Sequence, residues 1–197
     1  SLEGVRDALI SSGWDATAPI TAGSLQRIAS AFLFGGRYRY APVSDLYVFE
    51  RPQDLAFQRA RPTIVERNHM RLWLAPVRHQ GRPVWLGQVS RDAGIKFSGR
   101  VWPPTTHVID PDVDEARFFL LQNLIANGRV DRLAFAPGAP AAPASAPARN
   151  AEDDPYFSDG LRVVFFLPDR GRVPVDPVFL PWTTLDEIAR GVEVSAQ

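Results

Sequence analysis

The sequence predicts an α+β domain: an antiparallel or mixed sheet with helices packed mainly on one face, and two helices ahead of the first strand. Three observations predict it. Apolar residues recur at three- and four-residue steps near the amino terminus, the period then falls to two over three successive segments, and one long helical pattern precedes two more strand-like runs. That order is neither a βαβ alternation nor an all-strand pattern.

Residues 2–12 place Leu2, Val5, Leu9 and Ser12 on one helical stripe, and Gly13 follows as a stop. Thr21 or Ser24 caps a second helix, in which Leu25, Ile28, Ala29, Phe32 and Leu33 repeat until Gly35 and Gly36 end it. Three strands come next: DLYVFERP (45–52), NHMRLWLAPV (68–77) and RPVWLGQVSR (82–91). The RHQGR connection between the last two has hairpin length, which predicts antiparallel pairing, and Gly94 in AGIKFS (93–98) is a candidate bulge. After THVID (106–110), a helix runs from about 111 to 127 and closes at Asn127-Gly128, followed by a strand in VDRLAFAP (130–137). LRVVFFLP (161–168) is a continuous apolar run, the pattern of a strand covered on both faces. Thr184, with Glu187 completing a capping box, begins a last helical turn or two. The Pro/Ala-rich stretch at 138–153 has too few large apolar residues to pack, and reads as a mobile excursion from a single domain spanning 1–197.

Composition narrows the function. Apolar residues make up 45% and charged residues 22%, the mixture of a globular domain. With 22 basic against 22 acidic residues there is no overall field to hold a nucleic-acid backbone, so no nucleic-acid partner is expected. The absence of cysteine excludes a thiol nucleophile, a disulfide framework and thiolate metal ligation. Lys96 is the only lysine, so positive charge is presented almost entirely as guanidinium. Residues 1–4 lack the basic start and apolar stretch of a signal peptide. The chain reads as a segment of a longer protein, with any membrane anchor lying outside it.

Asp110, Asp112, Asp114 and Glu115 admit two readings. With Asp110 as the cap, Pro111 falls at the first helical position and the other acids lie where the helix dipole favours them. A calcium loop of the helix–loop–helix type needs glycine at its sixth position and glutamate at its twelfth, and here those places hold Glu115 and Leu121. The acids are therefore read as a helix start, with no metal site and no cofactor expected.

In NHMRLW, alternation puts His69, Arg71 and Trp73 on one face, opposite Met70, Leu72 and Leu74. In THVID, His107 and Ile109 share a face. Such a face is either a solvated sheet surface with a cation–π contact or a pocket, whose members would be His69, Arg71, Arg91, Asp92, His107, Tyr156 and Asp159. His79 reads as a surface turn residue. No nucleophile elbow, phosphate-binding glycine loop, zinc-protease helix or dinucleotide fingerprint occurs, so no catalytic residue is assigned.

Four stretches together, APVSDLYVFERPQDLAFQ (41–58), RNHMRLW (67–73), PVWLGQVSRDAGIKFS (83–98) and THVIDPDVDEAR (106–117), resemble the LssY C-terminal domain family, and YFSDGLRVVFFL extends the likeness. Glu50 departs from the glycine expected in that family's LYLFGR pattern. The resemblance implies a bacterial, membrane-associated domain of the cell envelope without a settled activity. Two functions follow as expectations. The first is a noncatalytic accessory or ligand-binding domain, whose partner is the membrane, a membrane-embedded region of the same protein, or a small or lipid-linked ligand. The second is a hydrolase acting on a lipid-linked, phosphorylated or sugar substrate.

Overall fold

The computed structural model describes residues 1–17, 45–60, 67–97, 105–150, 153–169, 171–173, 176–182 and 192–194. In chain order these form α1 (Leu2–Ser11), β1 (Asp15–Ala16), β2 (Tyr47–Val48), β3 (Arg51–Pro52), β4 (Leu55–Ala60), β5 (Arg67–His79), β6 (Arg82–Phe97), β7 (Thr105–Ile109), α2 (Val113–Ala126), β8 (Arg132–Pro137), β9 (Ala148–Arg149), β10 (Pro155–Tyr156), β11 (Leu161–Phe166), β12 (Val178–Phe179) and β13 (Val192–Val194). Strand predominates: two helices stand against thirteen strands among the described residues.

This overturns the α+β expectation of a helical layer on one sheet face. Only α1 precedes the first strand among the described residues; the helix expected over 25–34 and the closing turn at Thr184 lie outside them. The physical reason is visible in LAFQRA, which alternates too weakly to announce itself yet forms β4. The pairing of β4 with β5 over six residues, Leu55 opposite Leu72 to Ala60 opposite Arg67, supplies what its own pattern lacks.

The largest sheet has the order β1-β4-β5-β6-β7, with β13 also beside β5. β5 and β6 meet at Gln80-Gly81, both at positive φ (51° and 74°), as a two-residue turn matched to strand twist requires. The expected irregularity in β6 is present, as a register shift against β7 between Asp92 and Gly94. A second sheet has the order β11-β8-β12, with β8 central and antiparallel to β11.

Two expected strands are corrected. Residues 45–52 are not one strand: β2 and β3 fold back on each other around Phe49-Glu50. Among the described residues β11 is an edge strand, with Leu161 and Arg162 exposed, rather than a strand covered on both faces. Its aromatic and branched residues favour extended backbone without needing full burial.

Contacts divide the chain into two compact units, one of residues 14–73 and 86–109, the other of 1–13, 74–85 and 110–197. In the first unit, Trp14, Phe57, Met70, Leu72 and Trp73 are buried. In the second, α2 buries Ala116, Leu120, Leu121 and Leu124, while β8 buries Leu133, Ala134 and Ala136. There the Pro/Ala-rich stretch is tied down by its main chain: Ala139 N donates to Gly160 O at 3.0 Å, and Ala142 and Ser158 exchange two bonds of 2.9 Å. Small side chains let backbones approach that closely without help from apolar bulk.

Candidate functional site

In the first unit, β5 is buried on both faces from Arg67 to Trp73 apart from half-buried His69, which corrects the solvated-face reading. The alternation itself holds, and it carries Arg67, His69 and Arg71 along one face. The β4 register sets Gln58 opposite His69. Arg67 Nη1 donates to Gln58 Oε1 at 3.0 Å, and Arg71 Nη1 donates to Gln88 Oε1 of β6 at 3.0 Å. His69 Nδ1 lies 3.4 Å from Asp92 Oδ2, with the two side chains 12% and 4% exposed. Desolvation by burial lowers the pKa of both guanidiniums, and the charge of Asp92 opposes that shift. The arrangement is a strip of donors around one imidazole, suited to gripping an anion. Asp92 pairs with Ile109 just before the bulge, a device that re-aims side chains at functional sites.

Arg91 is half-buried on β6. His107 stands opposite Ile95 in the β6–β7 register, and its side chain lies outside the described residues. Sequence reasoning missed Arg67, Gln58 and Gln88. Arg67 was recoverable by extending the alternation one step back from Asn68, whereas Gln58 sits on a strand that the pattern did not reveal.

In the second unit, the acids do begin a helix, but two residues later than expected. Asp112, not Asp110, caps α2, accepting from the amides of Asp114 and Glu115 at 3.2 Å each. Asp110 supports the entry, accepting from Asp112 N at 3.0 Å. Asp114 does more than complement the dipole: it accepts from Ser158 Oγ at 2.8 Å and Asp159 N at 2.7 Å. Arg117 closes the arrangement with a two-pronged bond to Asp159, 2.9 and 2.7 Å, and lies 3.3 Å from Asp114. Gly160, at φ 78°, is required beside it, since a Cβ there would sit 2.3 Å from Ala139 O. Tyr156 is half-buried in β10, opposite Ala148.

An open depression of about 520 Å³ adjoins this cluster, lined in part by Asp112, Asp114, Phe118, Phe157 and Asp159. Its aspartates are engaged by the chain's own amides, hydroxyl and guanidinium, which makes this region a clamp between the start of α2 and the turn into β11. No group of three or more potential metal-ligating side chains gathers among the described residues.

His79 is no surface turn residue. It is buried at the end of β5, edge-on to Phe166 at 5.3 Å and to Trp182 at 5.6 Å. Burial, with the charges of Arg132 and Arg82, holds its pKa below the ordinary value.

A model of the LssY C-terminus matches residues 1–161. The chain belongs to the LssY C-terminus family. No curated protein matches it, and no solved structure does. The matched span of this LssY C-terminal domain includes both the polar strip and the clamp. Glu50, the expected departure from the family pattern, takes φ 59°. That is a conformation glycine adopts at least cost, so the turn is kept and the side chain is carried under strain.

Proposed function

We propose that this domain is a noncatalytic accessory, ligand-binding module of a membrane-associated bacterial envelope protein, and that the β4–β5–β6 strip binds an anionic group of its ligand. The observation that carries the reading is the burial of Arg67 and Arg71 on one sheet face beside the His69–Asp92 pair. Moving charged groups out of water costs several kcal/mol per ion, and apolar side chains would hold a sheet face at least as well. Charge kept at that cost favours a binding role over a scaffolding one. The envelope and the membrane enter through the family resemblance.

A second reading is favoured by one contact. A carboxylate lies 3.4 Å from Nδ1 of His69, where a partner of a general base would stand, with the arginines placed to grip a substrate anion of the lipid-linked, phosphorylated or sugar class.

Inorganic phosphate tests the first reading. It should raise the melting temperature of the wild type by mass action, and the rise should vanish in Arg67→Gln and Arg71→Gln. A wild type that melts identically with and without phosphate overturns the anion reading. Incubation with p-nitrophenyl phosphate should give no turnover; turnover that disappears in His69→Gln would replace the noncatalytic reading with the hydrolytic one.

A further inference from the structure

We propose that His79 is an acid-sensitive latch, whose protonation frees the segment 178–182 from β8. The geometry is a cluster of three rings drawn from three places in the chain. His79 ends β5, Phe166 ends β11 and Trp182 follows β12. Each ring meets the other two edge-on. His79 lies 5.3 Å from Phe166 and 5.6 Å from Trp182, and Phe166 lies 5.9 Å from Trp182, with interplanar angles of 60°, 63° and 72°. Of the three, only the imidazole can acquire a charge near neutral pH, and it would do so while buried in an aromatic contact.

The segment is held at both of its ends. Val178 N donates to Asp131 O at 3.0 Å and Leu180 N to Leu133 O at 2.7 Å, joining β12 to β8 in parallel over two register positions. Past them Trp182 N turns back to Leu180 O at 2.9 Å, and the indole rests on His79 and Phe166. A ladder this short can open locally while the β8–β11 ladder, paired over six positions, stays closed.

The charges that reach the imidazole are positive. Arg132 of β8 lies over the Phe166 ring at 4.2 Å, and Arg82 of β6 donates to Leu167 O at 2.6 Å. Each has a carboxylate of its own, Asp131 at 3.5 Å and Asp169 at 3.2 Å. On the β13 side His79 stands opposite Val192, and the next pair along is Arg78 with Glu193. Burial first, and then the charges of Arg132 and Arg82, hold the imidazole below its ordinary 6.5. The closed cluster therefore resists a proton that the same ring accepts once it is in water. The sign follows: closure is fully favoured above 6.5 and loses its advantage as pH falls below that value. A single proton changes the open population by at most about tenfold per pH unit.

Amide hydrogen exchange of the purified chain, corrected for the intrinsic rate and run from about pH 7.5 to about pH 5, tests the latch across the range where histidine titrates. In the wild type the protection of the Leu180 amide should fall below pH 6.5, by up to about tenfold per unit, while the β8–β11 amides keep theirs. The Cε1 proton of His79, followed by NMR, should titrate in step with that loss. His79→Phe, which keeps a ring in place, should hold Leu180 protection level across the range, and so should His79→Gln if the phenylalanine variant fails to fold. His69 and His107 remain in both variants, so an acid-induced loss that persists without His79 overturns the latch. A wild type with constant Leu180 protection overturns it as well, as does one in which the β8–β11 amides are lost together with Leu180. His79 and the anion strip lie in different units, so neither result depends on the binding reading.

Discussion

Arg117, in the unit that contains α2 and β8, and Arg67 and Arg71, in the unit that contains β4 and β7, are all almost wholly buried, at 7%, 8% and 7% exposure. Their electrostatic balance nevertheless runs in opposite directions. Burial pulls the Arg117 guanidinium down, but the bond to Asp159 and the charges of Asp114, Asp159 and Asp112 outweigh it, and its pKa is raised. For Arg67 desolvation prevails over the charge of Asp92, and for Arg71 over those of Asp92 and Asp45, so both are lowered. The first setting is a rivet made of this chain's own groups. The second sets its guanidiniums on the side-chain carbonyls of Gln58 and Gln88, and that difference separates a candidate binding strip from a structural clamp.

Breaking the rivet should have the largest effect. Arg117→Met removes the cation shared by Asp114 and Asp159, and should cost about 2–4 kcal/mol in urea unfolding, discounted for the partial exposure of Asp159. The sign with pH follows from Asp159, whose pKa its bond to Arg117 holds below the ordinary 3.8. Its contribution is fully present above that ordinary value and is lost as pH falls through the lower folded one. The variant should lack this part of the wild type's acid sensitivity, and an acid limb of equal steepness in both proteins would show that the pair does not act as described.

The strip should respond with mixed sign, which sharpens the contrast. Asp92→Asn withdraws the one negative charge that acts on both arginines, leaving Asp45 to act on Arg71, and should destabilise by about 1–3 kcal/mol. Arg67→Met should change stability by less than about 1 kcal/mol or raise it, because it relieves a desolvated charge. A loss with Arg67→Met as large as that from Arg117→Met would make both regions rivets.

The smallest effects distinguish the acids at the start of α2. Asp112→Ala should cost about 1 kcal/mol as the true cap, and Asp110→Ala only a few tenths of that. Thermal melts with and without chelator should superimpose for the wild type and both variants. A chelator-sensitive wild type would reopen the cation reading.

Much of the site was legible as local chemistry. The alternation of NHMRLW set His69 and Arg71 on one face, and Asp-Pro-Asp before an apolar run announced a helix, because strand pleat and helix capping are short-range rules. The strand expected over 45–52 hid the turn at Phe49-Glu50, where Glu50 adopts a positive φ. What these signals could not convey was burial or partnership. Whether the His69 face met water depended on what covers β5, and the pairing of Asp114 with Ser158 and Asp159 joins residues more than forty positions apart.

The sequence by itself determined the family, the hairpin of β5 and β6, the bulge near Gly94 and the presence of a helix after Pro111, since each rests on residues close along the chain. Only the tertiary structure decided that strand outweighs helix, that Asp112 rather than Asp110 caps α2, and that Arg67 and Gln58 join His69 and Asp92. The reason is physical: a weakly patterned strand such as β4 acquires its stability from the ladder it joins, and the balance of a buried charge is set by neighbours that chain order does not reveal.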